Sequence, residues 1–173
     1  MKPKSEVYNI DCLEYMRGLP DKAFALAIAD PPYGINADRS QKQRSNKQTG
    51  HALAPSKDYG NSNWDCQAPT KEWFDELRRI SQNQIIWGAN HFISRIPFDS
   101  PCWIVWDKDN GSNTYADCEL AWTSFPTAVR RLRYKWHGML QENMKRKEIR
   151  IYPTQKPVAL YAWLLSNFAP PIQ

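Results

Sequence analysis

Seven consecutive apolar residues, Ala23-Phe-Ala-Leu-Ala-Ile-Ala29, run directly into Asp30-Pro31-Pro32-Tyr33. An apolar run with no alternation implies burial on both faces, as for a central strand in a helix-covered parallel sheet. A buried helix is the rival. Two adjacent prolines give an abrupt stop and favour a strand that runs into a loop. Ligand sites in open α/β sheets lie beyond the carboxyl ends of strands, so this junction is the first candidate site. The Asp30 carboxylate and the proline carbonyls are acceptors, and Tyr33 offers a flat ring. Together they could hold an exocyclic amino group and stack on its ring. A plain strand-to-turn connection, with Asp30 capping and Tyr33 packing on the core edge, accounts for the same four residues equally well.

The rest of the chain fits an α/β sheet of alternating strands and helices. Asp11 can cap a short helix through Met16 that buries Leu13 and Met16 and ends at Gly18 and Pro20. Pro69-Thr70 can start a helix with Trp73, Phe74, Leu77 and Ile80 on one face. Ile85-Ile-Trp87, Trp103-Ile-Val-Trp106 and Glu119 to Phe125 are expected as strands, and His91 to Ile96 as a short helix. Thr154-Gln-Lys-Pro157 is expected to open a helix whose Val158, Tyr161, Leu164, Leu165 and Phe168 form the apolar face. Residues 36–63 are polar with hardly an apolar anchor, and are expected to form a long flexible loop.

Charge is unevenly placed. Of a net +5, residues 130–150 carry eight Lys or Arg against Glu142 and Glu148, so the remainder is slightly acidic. Such a patch suits a polyanion, though an ordinary solvated basic face is an even alternative. Cys12, Cys66, Cys102 and Cys118 are well separated, and no Cys/His cluster has the spacing of metal ligands. Cys102 and Cys118, in apolar surroundings, are expected as small core residues. With no signal-peptide pattern and no apolar stretch long enough for a bilayer, a soluble cytoplasmic protein is expected.

Asp30-Pro-Pro-Tyr33 after an apolar strand resembles the catalytic motif of the DNA amino-methyltransferases, which modify adenine N6 or cytosine N4. The likeness extends over nearly the whole chain. Asn9-Ile-Asp-Cys12 with Leu19-Pro-Asp21 is similar to the family's approach to that motif. Asn83-Gln-Ile-Ile-Trp-Gly-Ala-Asn90, Trp103-Ile-Val-Trp-Asp-Lys108, Asp117-Cys-Glu-Leu-Ala-Trp122 and Tyr152-Pro-Thr-Gln-Lys-Pro157 resemble its later blocks, in the order that puts the catalytic block first. A histidine is common in the family where this chain has Tyr152.

The resemblance implies a Rossmann-like sheet with helices on both faces and S-adenosylmethionine as methyl donor. It implies adenine N6 as the target, because Asp rather than Ser precedes Pro-Pro-Tyr. Asp30 and the Pro31 carbonyl would accept hydrogen bonds from the target amine within the Asp30, Pro31, Pro32, Tyr33 block, and Tyr33 would stack on a base flipped out of the duplex. Asp11, Thr154, Gln155 and Lys156 would face the cofactor, and no metal is required. Duplex DNA is the expected partner. Residues 126–150 are the candidate recognition segment, through Arg130, Arg131, Arg133 and Lys135 with Trp136 and His137 beside them. Arg39, Lys42 and Arg44 of the polar loop would close over the displaced nucleotide.

The family continues beyond the last helix into a Gly-rich turn that cradles the cofactor, and no Gly-x-Gly pair occurs in this sequence. The chain is therefore expected to form a single incomplete methyltransferase domain over residues 1–173, lacking the C-terminal strands. Three accounts follow: a truncated enzyme, one half of a two-chain enzyme, or a noncatalytic DNA-binding remnant. An exposed sheet edge beside the strand before Asp30 is expected as well, favouring self-association or a complementary chain.

Overall fold

The computed structural model describes residues 5–37, 63–96, 98–111, 116–137, 140–152 and 154–171. Most of the polar loop, with Arg39, Lys42 and Arg44, lies outside the described residues. Helix α1 (Cys12–Arg17) is capped by Asp11, whose Oδ1 accepts the Glu14 N–H at 2.9 Å, and ends at Gly18. Strand β1 (Phe24–Ala29) leads to Asp30. After the loop, α2 (Lys71–Ile80) buries Phe74, Leu77 and Ile80 and feeds β2 (Ser81–Trp87). Two single 3-10 turns, Ala89–His91 and Ile93–Arg95, replace the expected helix from His91 to Ile96. There follow β3 (Trp103–Asp107), β4 (Cys118–Thr123), β5 (Arg130–Arg133), the small hairpin of β6 (Trp136–His137) and β7 (Leu140–Gln141), and α3 (Val158–Phe168).

The main sheet has the order β1-β2-β4-β3-β5. It is mixed, not the parallel sheet that the apolar β1 suggested. β1 runs parallel to β2 and β3 parallel to β5, while β4 is antiparallel to both of its neighbours. Connection length explains the difference. Residues 108–117 between β3 and β4 allow the chain to turn back, but are too short for the helical crossover that a parallel return needs. Between β1 and β2, α2 supplies that crossover.

Both faces of the sheet are covered, and alternation along β2 shows how. Ile86 packs with Met16 of α1, Phe74, Leu77 and Ile80 of α2, and Trp122 on one face. Ile85 and Trp87 pack with Ile104, Trp106, Trp136 and Leu160 and Leu164 of α3 on the other. Trp87, Trp106 and Trp122 are core residues, as is Cys102, whereas Cys118 is half-buried. β1 lies at the end of the strand order. It pairs with β2 alone among the described strands, and its residues are exposed or half-buried instead of enclosed.

α3 departs from the expected helix at its start and on its face. It begins at Val158, not at Thr154, and its first N–H is met by the Glu148 carboxylate at 3.1 and 3.2 Å. Leu160 and Leu164 are fully buried, while Val158 and Leu165 are exposed. Because nearly every position of this helix is apolar, periodicity alone could not choose its inner side. Among the described residues no helix is long and apolar enough to cross a membrane.

Candidate functional site

Strand register gathers the site. β1 and β2 are parallel, so Asp30 and Gly88 emerge at the same end of the sheet. β4 runs the other way and pairs Ala121 with Trp87, so its first residues, Cys118 and Glu119, reach that end too. Asp107 pairs with Cys118, which brings Lys108 alongside. The segment before α3 then lays Lys156 across this end.

Lys156 is a buried cation, with a side chain only 4% exposed. Its ammonium donates to Asp30 Oδ1 at 2.5 Å and to the Tyr33 hydroxyl at 3.1 Å. It lies 3.3 Å from Glu119 Oε2, and over the rings of Tyr33 and Trp87 at 5.5 and 5.6 Å from their centroids. Glu119 is held from its other side by Lys108, whose Nζ is 2.5 Å from Oε1. A charge this enclosed persists only when paired, and Lys156 has two carboxylates. Burial alone would raise the Glu119 carboxyl; the ammonium groups of Lys156 and Lys108 outweigh it and hold the group below the ordinary carboxylate range.

The Tyr33 hydroxyl also donates to Asp30 Oδ1, at 3.0 Å. Both contacts fall on Oδ1, and Asp30 Oδ2 makes no hydrogen bond among the described residues. Burial, followed by the charges of Glu119 and Asp30, pushes the Tyr33 phenol far above its usual range, so it remains a neutral donor. The ring stacks on His91 at 5.2 Å and lies against the backbone of Gly88. Gly88 has φ +69°, and a Cβ there would fall 2.2 Å from the Tyr33 ring, so only glycine fits both the conformation and the contact. Tyr33 is thus packed within the protein, not presented as an open platform.

The loop carrying these groups is wound around Asp65, which no pattern in the sequence singled out. Asp65 is 1% exposed. Its Oδ1 accepts the Tyr33 and Gly34 N–H groups at 2.6 and 2.9 Å, and its Oδ2 accepts the Ala37 N–H at 2.8 Å. The Asn36 N–H bonds the Asp65 carbonyl at 3.0 Å. The positive φ of Gly34 and of Asn36 turns successive amides inward toward this one carboxylate. An isolated acid after a polar stretch gives no warning of such a role; the weak signal was the donor-rich, glycine-bearing turn that follows Pro32.

An open pocket of about 390 Å³ lies beside the loop, lined by Cys12, Ala29, Asp30, Pro31, Pro32, Gln67, Pro69 and Trp73. That is within the size range of small-molecule sites. Its walls are apolar and aromatic, with Asp30 as its anionic group.

The structure brings Asp30, Tyr33 and Lys156 together and places Pro31 and Pro32 in the adjoining pocket wall. Asp11 caps α1 next to Cys12 of that wall. Thr154 is exposed, and Gln155 is turned away: its side chain bonds Ile151 N–H and the Ile149 carbonyl, and its own carbonyl accepts the Trp136 indole N–H at 2.8 Å. Arg130 and Arg131 are exposed on β5, while Arg133 pairs with Asp109, as does Lys135 at 3.1 Å. Trp136 is buried under the Arg150 guanidinium, not available to a nucleic acid. His91 is exposed and His137 half-buried. Asp107 closes its strand by accepting the Asp109 N–H at 3.0 Å. Among the described residues no group of three or more His, Cys, Asp or Glu is placed to hold a metal ion. No protein-family model matches the chain.

Proposed function

We propose that this chain carries the catalytic block of a DNA amino-methyltransferase that transfers a methyl group from S-adenosylmethionine to the N6 of an adenine flipped out of the duplex. The observation that carries the reading is the placing of Asp30-Pro31-Pro32-Tyr33 beyond the end of β1, with Asp30 Oδ2 unengaged by the described residues at an open pocket. None of the described donors reaches the Pro31 or Pro32 carbonyl, so these acceptors and Oδ2 can receive the two hydrogens of an exocyclic amine. Holding the amine in this way weakens lone-pair delocalisation into the ring and aims the lone pair, so rate comes from positioning and electrostatics. Asp30 need not be a strong base, because the amine becomes acidic only as the new N–C bond forms.

The pocket fits part of the donor. Trp73 and Asp30 suit a sulfonium cation, and the proline and aromatic walls suit a flat base. Among the described residues its carboxylate end meets no cation in the pocket lining, because Lys156 is turned inward to Asp30 and Glu119. S-adenosylmethionine would supply an electrophilic methyl group; the chain's own residues hold and orient the amine. Duplex DNA is the partner in this reading, approached by Arg130 and Arg131 and by Lys145, Arg146 and Lys147, all exposed.

A second reading, that the enzyme is assembled from two chains, is favoured by the outer edge of β1, unpaired among the described strands. One experiment covers both. Duplex DNA and methyl-labelled S-adenosylmethionine are incubated with the chain alone, and again with a polypeptide carrying a Gly-rich cofactor block. Digestion should release labelled N6-methyl-2′-deoxyadenosine from at least one reaction, and Asp30→Ala should lower it by about a hundredfold or more. No methylated base in either reaction overturns the proposal.

A further inference from the structure

We propose that Glu119 is a positioning residue for Asp30, acting through Lys156: it shares the ammonium with Asp30 and takes it over when a ligand claims the Asp30 carboxylate. The ligand in this proposal is the amine of the reading above, and the proposal rests on that reading for its role in turnover. The shared ammonium itself does not depend on it.

Two features of geometry point to this arrangement. The first is asymmetry. Lys156 is drawn close to Asp30 Oδ1 at 2.5 Å but stands 3.3 Å from Glu119 Oε2, in reach but not aligned as a hydrogen bond. Oε2 is otherwise buried with no hydrogen-bond partner, while Oε1 is fixed by Lys108. A buried acceptor left short of a donor is costly, and the nearest remedy is a small movement of Lys156. The second is confinement. Lys156 lies over the rings of Tyr33 and Trp87, its side chain is 4% exposed, and Pro157 directly after it is fully buried. Its ammonium is thus enclosed with the two carboxylates as its anionic neighbours, so a shift away from Asp30 leaves Glu119 as its remaining carboxylate.

The consequence is chemical. The amine takes Oδ2, but an ammonium drawn hard onto Oδ1 neutralises the carboxylate and makes it a weaker acceptor for a neutral amine. If Glu119 can receive the ammonium, the buried cation never loses a carboxylate partner as Asp30 changes partners. Lys108 keeps Glu119 ionised for that purpose. Without Glu119, Lys156 would have Asp30 as its sole carboxylate, and could not draw back from Oδ1 without leaving a buried charge unpaired.

The test uses the full 173-residue chain. Trace acetylation with dilute acetic anhydride, read residue by residue by mass spectrometry, reports how firmly Lys156 is held; Lys71, exposed on α2, is the internal reference. Relative to Lys71, labelling of Lys156 should rise about tenfold or more in Glu119→Gln, as expected when a buried pair loses one partner. Glu119→Asp keeps the charge and should stay within about threefold of wild type, which guards against a merely unfolded Gln variant. Unchanged labelling in folded Glu119→Gln overturns the proposal, and so does equal labelling of the Asp and Gln variants.

Where the methyltransfer assay gives activity, Glu119→Gln should lower kcat with little change in KM for S-adenosylmethionine. Its effect should vanish in a Lys156→Met background, since it acts through Lys156. Additive losses would overturn the role in turnover. An inactive wild type counts against the proposed function, while the labelling result still decides whether Glu119 holds Lys156.

Discussion

At the scale of single residues, the site depends on groups that make no motif. Asp65 ties together three amides of the turn after Pro32, and its loss would leave half-buried donors without their acceptor. Asp65→Ala should therefore destabilise the fold by about 3 kcal/mol, read as a lower denaturant midpoint with unchanged slope. An effect near zero would mean that water replaces the carboxylate. Gly88→Ala tests packing in the same spirit. A methyl group there must push the Tyr33 ring off its place beside His91, and the positive φ adds backbone strain. A cost of about 2 kcal/mol is expected, with a changed near-ultraviolet tyrosine signal. Glu119 supplies a pH test. Its carboxyl titrates below the ordinary range in the folded chain, so its charge favours folding at neutral pH. That contribution fades as pH falls through the folded value. The stability gap between wild type and Glu119→Gln should accordingly be widest at neutral pH and narrow in acid. A gap independent of pH would show that the paired charge contributes nothing.

At the scale of elements, much was legible because the local signals were unambiguous. Asp11 before an apolar pair, and Phe74, Leu77 and Ile80 at helical spacing, announced α1 and α2; Met16, Phe74, Leu77 and Ile80 are buried as expected, while Leu13 and Trp73 are half-buried. The apolar run ending at Ala29, just before Asp30-Pro31-Pro32, announced β1. What failed was information of longer range. The direction of β4 is set by a short connection and not by its own residues, and the inner side of α3 by what it meets, since nearly all of it is apolar. The basic stretch 126–150 looked featureless because its strands are short: β5 has four residues and the β6–β7 hairpin two per strand. Side-chain bonds hold that region instead. Gln141 and Glu148 exchange two hydrogen bonds, at 2.9 and 2.8 Å, and Glu148 then caps α3. Asp30, Tyr33 and Lys156 were legible as candidates, yet their meeting was not, being a contact across 126 positions. The cap makes its own prediction. Glu148→Ala should cost about 1 kcal/mol in global stability and speed amide exchange in the first turn of α3, while Asp30 and Tyr33 keep their environment.

At the scale of the whole molecule, charge and structure together narrow which cations can meet a polyanion. The sequence put eight cations in 130–150, but the fold commits some of them inward. Arg133 and Lys135 converge on Asp109 and hold its carboxyl below its usual value, and the Arg150 guanidinium lies over Trp136 at 4.4 Å. Arg130 and Arg131 are exposed on β5, at the opposite end of the strand order from β1. DNA binding through this face predicts an unequal response. Arg130→Ala and Arg131→Ala should each weaken binding to every duplex sequence, and each should reduce the slope of log affinity against log salt by about 0.9. Arg133→Ala should reduce the slope by less, because its guanidinium already has a carboxylate partner, and should lower stability instead. Fluorescence anisotropy with one labelled duplex across a salt series separates these outcomes. Equal slope changes for all three would show that the Asp109 pair opens on binding; no change for Arg130 and Arg131 would place the nucleic acid on another face.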